Sequence, residues 1–307
     1  MKILITGANG FIGNHLAQSF SHDSYIYRDC NARHEVVCSE RMYSSDRSRP
    51  NLPHFFVDLT DKNDVETLVS GVKPDVIFHC AAHASVIDSV TDPEKDAQAN
   101  IIGTINLITS AKSNDVSKII YSSSGGASYG EQQTEEPMTE EHPVNPLSPY
   151  GFSKWAAEQY FKILDFPNYC VLRYSNVYGK SCRGVVKYFK ECYDFDVSPV
   201  VHGTGNDTTR DYIHVNDVVG ANRLALRNDL DGIYNVSSGV ATTLNQLWET
   251  LIQANASDPL TSHTPQPIIY TSLRDGECIH NVLSSEKLQT EGWKPEVDLI
   301  TGLVLDI

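Results

Sequence analysis

The residues best equipped for chemistry in this 307-residue chain are Tyr150 and Lys154, in the run Ser148-Pro149-Tyr150-Gly151-Phe152-Ser153-Lys154. Ser148 and Pro149 read as the opening of a helix, so residues four apart share one of its faces. An ammonium beside a phenol favours the phenolate and lowers a pKa normally near ~10, which yields a general base usable near neutral pH. Ser122, Ser123 and Ser124 follow the apolar run Lys118-Ile119-Ile120-Tyr121, and a serine there can hydrogen-bond the same substrate oxygen. The pair alone is a weak signal, because any surface helix offers that spacing. Its weight comes from the elements before it.

Those elements begin with Lys2-Ile3-Leu4-Ile5-Thr6, which runs into Gly7-Ala8-Asn9-Gly10-Phe11-Ile12-Gly13. A short β-branched run meeting glycines at every third position reads as a strand turning sharply into a helix. Gly7 permits the turn, Gly10 lets a phosphate approach the backbone, and Gly13 lets the helix pack closely. A pyrophosphate would rest on the free N–H groups at that helix end. Further strands are expected at 34–38, 54–59, 75–82 and 118–121. Between them lie a polar stretch from Ser21 to Arg33, a helix capped by Thr60 or Asp61, and a helix from about Asp92 to Asn114. The last carries an apolar stripe of Ala97, Ile101, Ile105, Ile108 and Ala111.

This alternation predicts an α/β fold, a doubly wound, mainly parallel sheet of Rossmann type, with ligands at the carboxyl ends of its strands. Gly7, Asp58, Ala81 and Ser122 to Ser124 all fall at such ends. Glu40, after the second strand, is the candidate acid for the adenosine ribose, and Asp58 could meet the adenine amino group. Arg41, Arg47 and Arg49 leave a 2′-phosphate open, with a solvated charged loop as the plainer reading. His79, Cys80 and His83 fit no standard zinc spacing, so no metal is expected.

A net charge of -15 and a pI near 5.1 argue against nucleic acid or an anionic membrane as partner. No apolar run approaches the ~18 residues of a membrane span, and no signal peptide precedes the first strand. Seven cysteines without paired spacing suggest free thiols and a cytoplasmic location. The Asn-x-Ser/Thr matches at 206, 235 and 255 then arise by chance. Asp217 is expected to cap a helix starting at Val218. Leu299 to Ile307 reads as the first part of a last helix that ends abruptly.

Almost end to end, the chain resembles the extended short-chain dehydrogenase/reductase family, and within it the nucleotide-sugar epimerases related to UDP-galactose 4-epimerase. The resemblance rests on Thr6 to Gly13, Asp58-Leu59, His79-Cys80-Ala81-Ala82, Ser122-Ser123-Ser124 and Tyr150-Gly151-Phe152-Ser153-Lys154. It continues in Leu172 to Gly179, Arg210-Asp211-Tyr212-Ile213-His214-Val215 and Arg274-Asp275-Gly276-Glu277. It implies NAD as cofactor and a nucleotide-diphosphate sugar, UDP-linked, as substrate. Tyr150 would be the base, Lys154 its partner and a nicotinamide-ribose ligand, and Ser124 the hydroxyl partner, with Ser123 second. Asn9, Phe11, Ile12, Leu59, Ala82, His83 and Asn100 complete the implied cofactor set. Ser85, Val86 and Asn176 would meet the substrate, Val200 and His202 its base, and Arg210 and Arg274 its pyrophosphate. Asn281 falls where the family tunes pocket width, and a smallish residue there is associated with acetamido sugars. Residues 1–175 and about 214–240 would form the dinucleotide domain. About 176–213 and 241–307 would form a smaller α/β substrate domain. The helices near 92–114 and 150–165 would pair in a homodimer.

The implied reaction is C4 epimerisation through a transient 4-keto sugar. A 4,6-dehydratase is the alternative, weakened because Gly125 and Gly126 stand where an acidic pair is needed. A ketoreductase using NADPH is another, and a non-catalytic cofactor-binding sensor a third, although that class commonly loses the Tyr/Lys pair.

Overall fold

The computed structural model describes residues 1–21, 34–41, 52–227, 229–256, 264–272 and 278–306. The expected polar stretch from Ser21 to Arg33, all but its first residue, lies outside them together with Arg47, Arg49 and Arg274. The first strand sets the layering. In β1 (Lys2–Thr6), Ile3 and Ile5 enter one apolar cluster and Leu4 the other. Burial on both faces is how a parallel strand sits between helices.

Around it the chain lays down α1 (Phe11–Ser21), β2 (Glu35–Glu40), β3 (His54–Phe56), α2 (Lys62–Val72), β4 (Val76–His79), α3 (Val86–Thr91), α4 (Pro93–Ala97) and α5 (Gly103–Ser113). Then come β5 (Lys118–Ser124), α6 (Gly125–Ser128), α7 (Pro149–Ile163), β6 (Tyr169–Tyr174) and β7 (Asn176–Tyr178). The C-terminal part adds α8 (Val185–Asp194), β8 (Val200–His202), β9 (Thr209–His214), α9 (Val215–Leu224), β10 (Gly232–Val236) and β11 (Ala241–Thr243). It closes with α10 (Leu244–Asn255), β12 (Ile269–Thr271), β13 (His280–Asn281), α11 (Glu286–Thr290) and α12 (Leu299–Leu305).

Seven strands form one sheet in the order β10-β6-β5-β4-β1-β2-β3, every pair parallel. The order reverses between β1 and β4, which opens a crevice at their carboxyl ends. Leu16 of α1 and Val218 of α9 cover one face, whereas Leu68 of α2, Leu107 of α5 and Phe161 of α7 cover the other. β7, β9, β11 and β13 form a smaller four-stranded sheet, and β8 pairs with β12. Phe189 of α8, Trp248 and Leu251 of α10 and Leu303 of α12 make the apolar cluster beside them.

Several local expectations change. The helix from Asp92 is not continuous, because a π turn at Gln98–Ile102 separates α4 from α5. The wider turn rotates the buried face. Asp96, Asn100, Thr104 and Leu107 point inward, while Ile101 and Ile105 are only half-buried. The third strand stops at Phe56, since Asp58 turns the chain by accepting from the Thr60 N–H and hydroxyl at 3.0 and 2.8 Å. Asp61, not Thr60, caps α2. Helix α9 starts at Val215 under a His214 cap, so Asp217 lies within it. The Asp217 carboxylate instead accepts from the Glu296 and Val297 N–H groups.

The glycine turn is closely packed. A Cβ on Gly7 (φ 71°) would lie 2.6 Å from the Ala81 backbone, and one on Gly13 would lie 2.3 Å from the Gly7 carbonyl oxygen. Gly13 is therefore required by the turn itself rather than by helix-on-sheet packing. Gly13→Ala should cost about 1–3 kcal/mol by overpacking. A melting midpoint equal to that of the parent chain would contradict this.

Candidate active site

At the carboxyl ends of β1, β2 and β4 lies a cavity of about 370 Å³. Gly7, Asn9, Gly10, Glu40, Arg41, Asp58, Leu59, Ala81, Ala82 and His83 all line it. Phe11, Ile12 and Gly13 form the first turn of α1, whose N–H groups have no carbonyl four residues back within a helix. The closeness of Gly7 to Ala81 keeps side chains out of this cradle and leaves bare backbone facing the cavity. An anion fits that surface. Glu40 ends β2 at 5% exposure, and its carboxylate lies 3.5 Å from the His54 ring. Arg41 is paired with Asp58 at 3.1 Å, so the guanidinium expected to leave a 2′-phosphate open already has a carboxylate partner. These residues suit an unphosphorylated dinucleotide.

Two expected cofactor residues face elsewhere. Asn100 accepts from the His83 N–H at 2.8 Å and donates to the His83 carbonyl, to Asp96 and to Ser153. All its polar capacity goes into holding the loop after β4, so it shapes the cavity from behind. Ser122 bonds the Tyr174 hydroxyl at 3.1 Å and Cys80. The His79 ring lies between Thr6 and Thr104 at 2.8 and 2.9 Å, and burial lowers its pKa to about 3.

Pro149 opens α7 under a Ser148 cap, which directs Tyr150 and Lys154 inward. The Ser124 hydroxyl, at the end of β5, stands close enough to the Tyr150 phenol to lower its pKa. Ser123 lines the same cavity but donates its hydroxyl to Glu158, which leaves Ser124 as the hydroxyl beside the phenol. The expected lowering of the phenol pKa does not appear in the free protein. Burial pushes Tyr150 up to about 12, only partly offset by Ser124, and the buried Asp96 carboxylate adds to the rise. Lys154 is 2% exposed and sits 4.2 Å above the Tyr121 ring. Burial lowers its pKa to about 8, opposed chiefly by Glu158 one helical turn on. Glu158 in turn takes a bidentate bond from Arg173, whose remaining fork reaches the Tyr129 hydroxyl at 2.8 Å.

Tyr150 and Ser124 stand on a wall common to two further cavities. One, of about 280 Å³, reaches Ile12 at the cradle and Asn176. The other, of about 640 Å³, reaches Val86, Asn176 and Arg210. Ser85 caps α3 by accepting from the Asp88 N–H, which presents Val86 to that cavity. Arg210 gives three of its N–H groups to the carbonyls of Thr209, Ile279 and Cys278, so much of its donor capacity fixes the neighbouring strand. Asn281 is 1% exposed behind Gly126, to whose carbonyl it donates. It is thus no solvent-facing residue. Val200 and His202 lie on the two-stranded sheet, the histidine ring held by Thr271 and the Ser272 carbonyl. Arg274 lies outside the described residues.

The sequence reading missed Asp96, Tyr121 and Glu158. Two signals were present. Glu158 follows Lys154 by four residues, and Asp96 precedes Asn100 by four. Tyr121 shows none, because only the fold brings it beneath Lys154.

An ammonium whose pKa falls from 10.5 to about 8 on folding destabilises the folded state by about 3 kcal/mol below pH 8. The folded state binds that proton less tightly than the unfolded one, so this cost fades as pH rises from about 8 towards 10.5. Nucleotide-free Lys154→Met should therefore melt above the parent chain at pH 7, with the gap narrowing by pH 10. A gap that widens with pH would contradict the assignment.

Residues 3–237 match the NAD dependent epimerase/dehydratase family. The UDP-glucose 4-epimerase of Mycolicibacterium smegmatis is 34% identical over 324 residues, spanning 99% of this chain and 96% of the relative. The crystal structure of a UDP-glucose 4-epimerase from Thermotoga maritima, with UDP-glucose, matches with a TM-score of 0.88 at 33% identity, over 100% of this chain and 97% of that one. The Thermus thermophilus UDP-glucose 4-epimerase in complex with NAD matches equally, with TM-score 0.88, 33% identity and the same coverage, 100% and 97%. Sequence and backbone agree on descent: this chain belongs to the NAD-dependent epimerase/dehydratase family.

Proposed function

We propose that the protein is an NAD-dependent nucleotide-sugar 4-epimerase, which interconverts C4 epimers of a UDP-hexose or UDP-N-acetylhexosamine through a transient 4-keto sugar. One observation carries this reading. Tyr150 and Ser124 are reached both from the cavity beside the glycine cradle and from the larger cavity that ends at Arg210. A single hydroxyl pair can thus face a redox cofactor and a carbohydrate alcohol together.

Residues 1–175 and about 214–240 form the dinucleotide unit in this reading, and 176–213 with 241–307 the substrate unit. The return of β10 to the large sheet beside β6 supports that division. When bound, NAD supplies the hydride acceptor at C4 and a positively charged ring. Tyr150 takes the C4 hydroxyl proton, and Ser124 holds the same oxygen in line. A phenol raised by burial responds strongly to added positive charge, since little water screens it. Lys154 would hold the dinucleotide ribose through its ammonium. Asn176 and Arg210, with Arg274, grip the sugar's diphosphate while the ketose turns over.

Two features disfavour elimination chemistry. Gly125 and Gly126 follow Ser124, and no described Asp or Glu lines either cavity around Tyr150. A dehydratase needs an acid and a base there. The six described cysteines are free thiols, which supports a reducing, cytoplasmic setting. None of the described helices is long and apolar enough to cross a membrane. The π turn before α5 and the outer face of α7 expose Ile102 (38%), Phe152 (52%) and Ile163 (69%), which supports an isologous helical contact in a homodimer.

Purified protein should interconvert UDP-glucose and UDP-galactose, or their N-acetyl counterparts, without added cofactor. Tyr150→Phe should lower turnover at least ~100-fold with cofactor binding retained. No C4 interconversion of any UDP-sugar by the parent chain would end this reading. Phe152→Asp should shift a dimer to a monomer in sedimentation, and a monomeric parent chain would refute the contact.

A further inference from the structure

Helix α8 and strand β7 are joined by Gly179-Lys180-Ser181-Cys182-Arg183-Gly184. The Cys182 N–H donates to the Gly179 carbonyl at 2.9 Å, and its side chain is buried in the cluster beside α8 and α10. Ser181 has φ 69° and Gly184 φ 85°. A serine in the left-handed region costs about 1 kcal/mol, so the surrounding packing must hold the turn in this shape.

Anchored through Cys182, the loop turns Lys180 and Arg183 outward. Both are exposed, and neither makes an ion pair or hydrogen bond among the described residues. The chain has 39 acidic residues against 24 basic ones, yet no described carboxylate pairs with either cation. They line a cavity of about 300 Å³ that no described Asp or Glu enters. Its other wall is Gly10 and Phe11 at the start of α1, with His15 one turn further on. Arg183 also lines the cavity that holds Tyr150. Positive potential from two separate parts of the fold therefore converges on one small volume, and an anion is the ligand that relieves it.

We propose that the loop 179–184 is a strap reaching from the substrate unit across the dinucleotide. Arg183 and Lys180 hold the cofactor pyrophosphate from the side opposite α1. The inference rests on the reading of the glycine cradle as the dinucleotide site. The arginine fork suits two phosphate oxygens and stays charged at all working pH values. An epimerase returns hydride to the sugar that gave it, so a strap that slows cofactor loss serves the cycle directly. Exposed cations act through a screened field, so the grip weakens with salt. The same pyrophosphate chemistry is also present in a nucleotide sugar, and Arg183 touches both cavities. The test separates the two sources.

NAD, adenosine and UDP are titrated into nucleotide-stripped parent chain, Lys180→Ala, Arg183→Ala and Arg183→Gln, at about 50 mM and about 500 mM salt. Expected is a roughly tenfold loss of NAD affinity for both Arg183 variants at low salt. A smaller loss is expected for Lys180→Ala, with adenosine and UDP binding unchanged. The parent chain should lose NAD affinity as salt rises, and the Arg183 variants should lose most of that dependence. Unchanged NAD affinity in the variants, or a parent chain insensitive to salt, overturns the proposal. Weaker UDP binding with NAD unaffected overturns it in favour of the substrate's diphosphate. Equal losses for adenosine and NAD reveal a distorted fold and overturn it also. If the parent chain binds neither NAD nor adenosine, the dinucleotide reading itself falls. The salt dependence of the parent chain decides the matter even where a variant fails to fold.

Discussion

Burial of the Lys154 ammonium is the constraint on which the rest of the site depends. A charged amine at 2% exposure survives only with compensation around it. The Tyr121 ring lies beneath it, and the Glu158 carboxylate stands one helical turn away. Glu158 is itself buried and would be costly alone, so Arg173 binds it bidentately and Ser123 donates to it. Arg173 then recruits the Tyr129 hydroxyl, and Tyr129 donates to Asn235 on β10. One functional charge thereby organises polar partners on β5, α7, β6 and β10. Removing any one of them leaves another polar group buried and unpaired, which is why such networks hold a single geometry.

The second constraint is steric. Gly7 and Gly13 allow the β1–α1 turn to close on itself and on Ala81. That packing brings the end of β4 against the cradle, and Asn100 then locks the loop after β4 through both backbone groups of His83. The π turn is what aims Asn100 there. A regular helix from Asp92 onward would have put the apolar stripe inward and left the His83 loop without its clamp. The shape of this cavity and the helix irregularity are thus one feature.

The two larger sheets differ in how they place polar groups. In the seven-stranded sheet, positions follow from strand ends, so Glu40 and Ser124 arrive in register. In the four-stranded sheet, loops do the placing. Arg210 donates to the carbonyls of Cys278 and Ile279, and Asp211 on the same strand accepts from Ser175, Ser238 and Gly239. These bonds tie segments far apart in sequence, and no local pattern announces them.

The sequence by itself determined the α/β alternation, the glycine turn and the placing of Tyr150 and Lys154 on one helix face, because strand and helix periodicity and φ preferences are local properties. It also placed Glu40 and the three serines at strand ends. Only the tertiary structure decided which serine meets the phenol. The buried Glu158 claimed Ser123. Only the tertiary structure set the phenol near 12 and the ammonium near 8, since desolvation depends on everything packed around a group. The pairing of Arg41 with Asp58 and the inward turn of Asn100 belong to the same class. A sequence names the donors and acceptors; the packed chain decides which of them have already found partners.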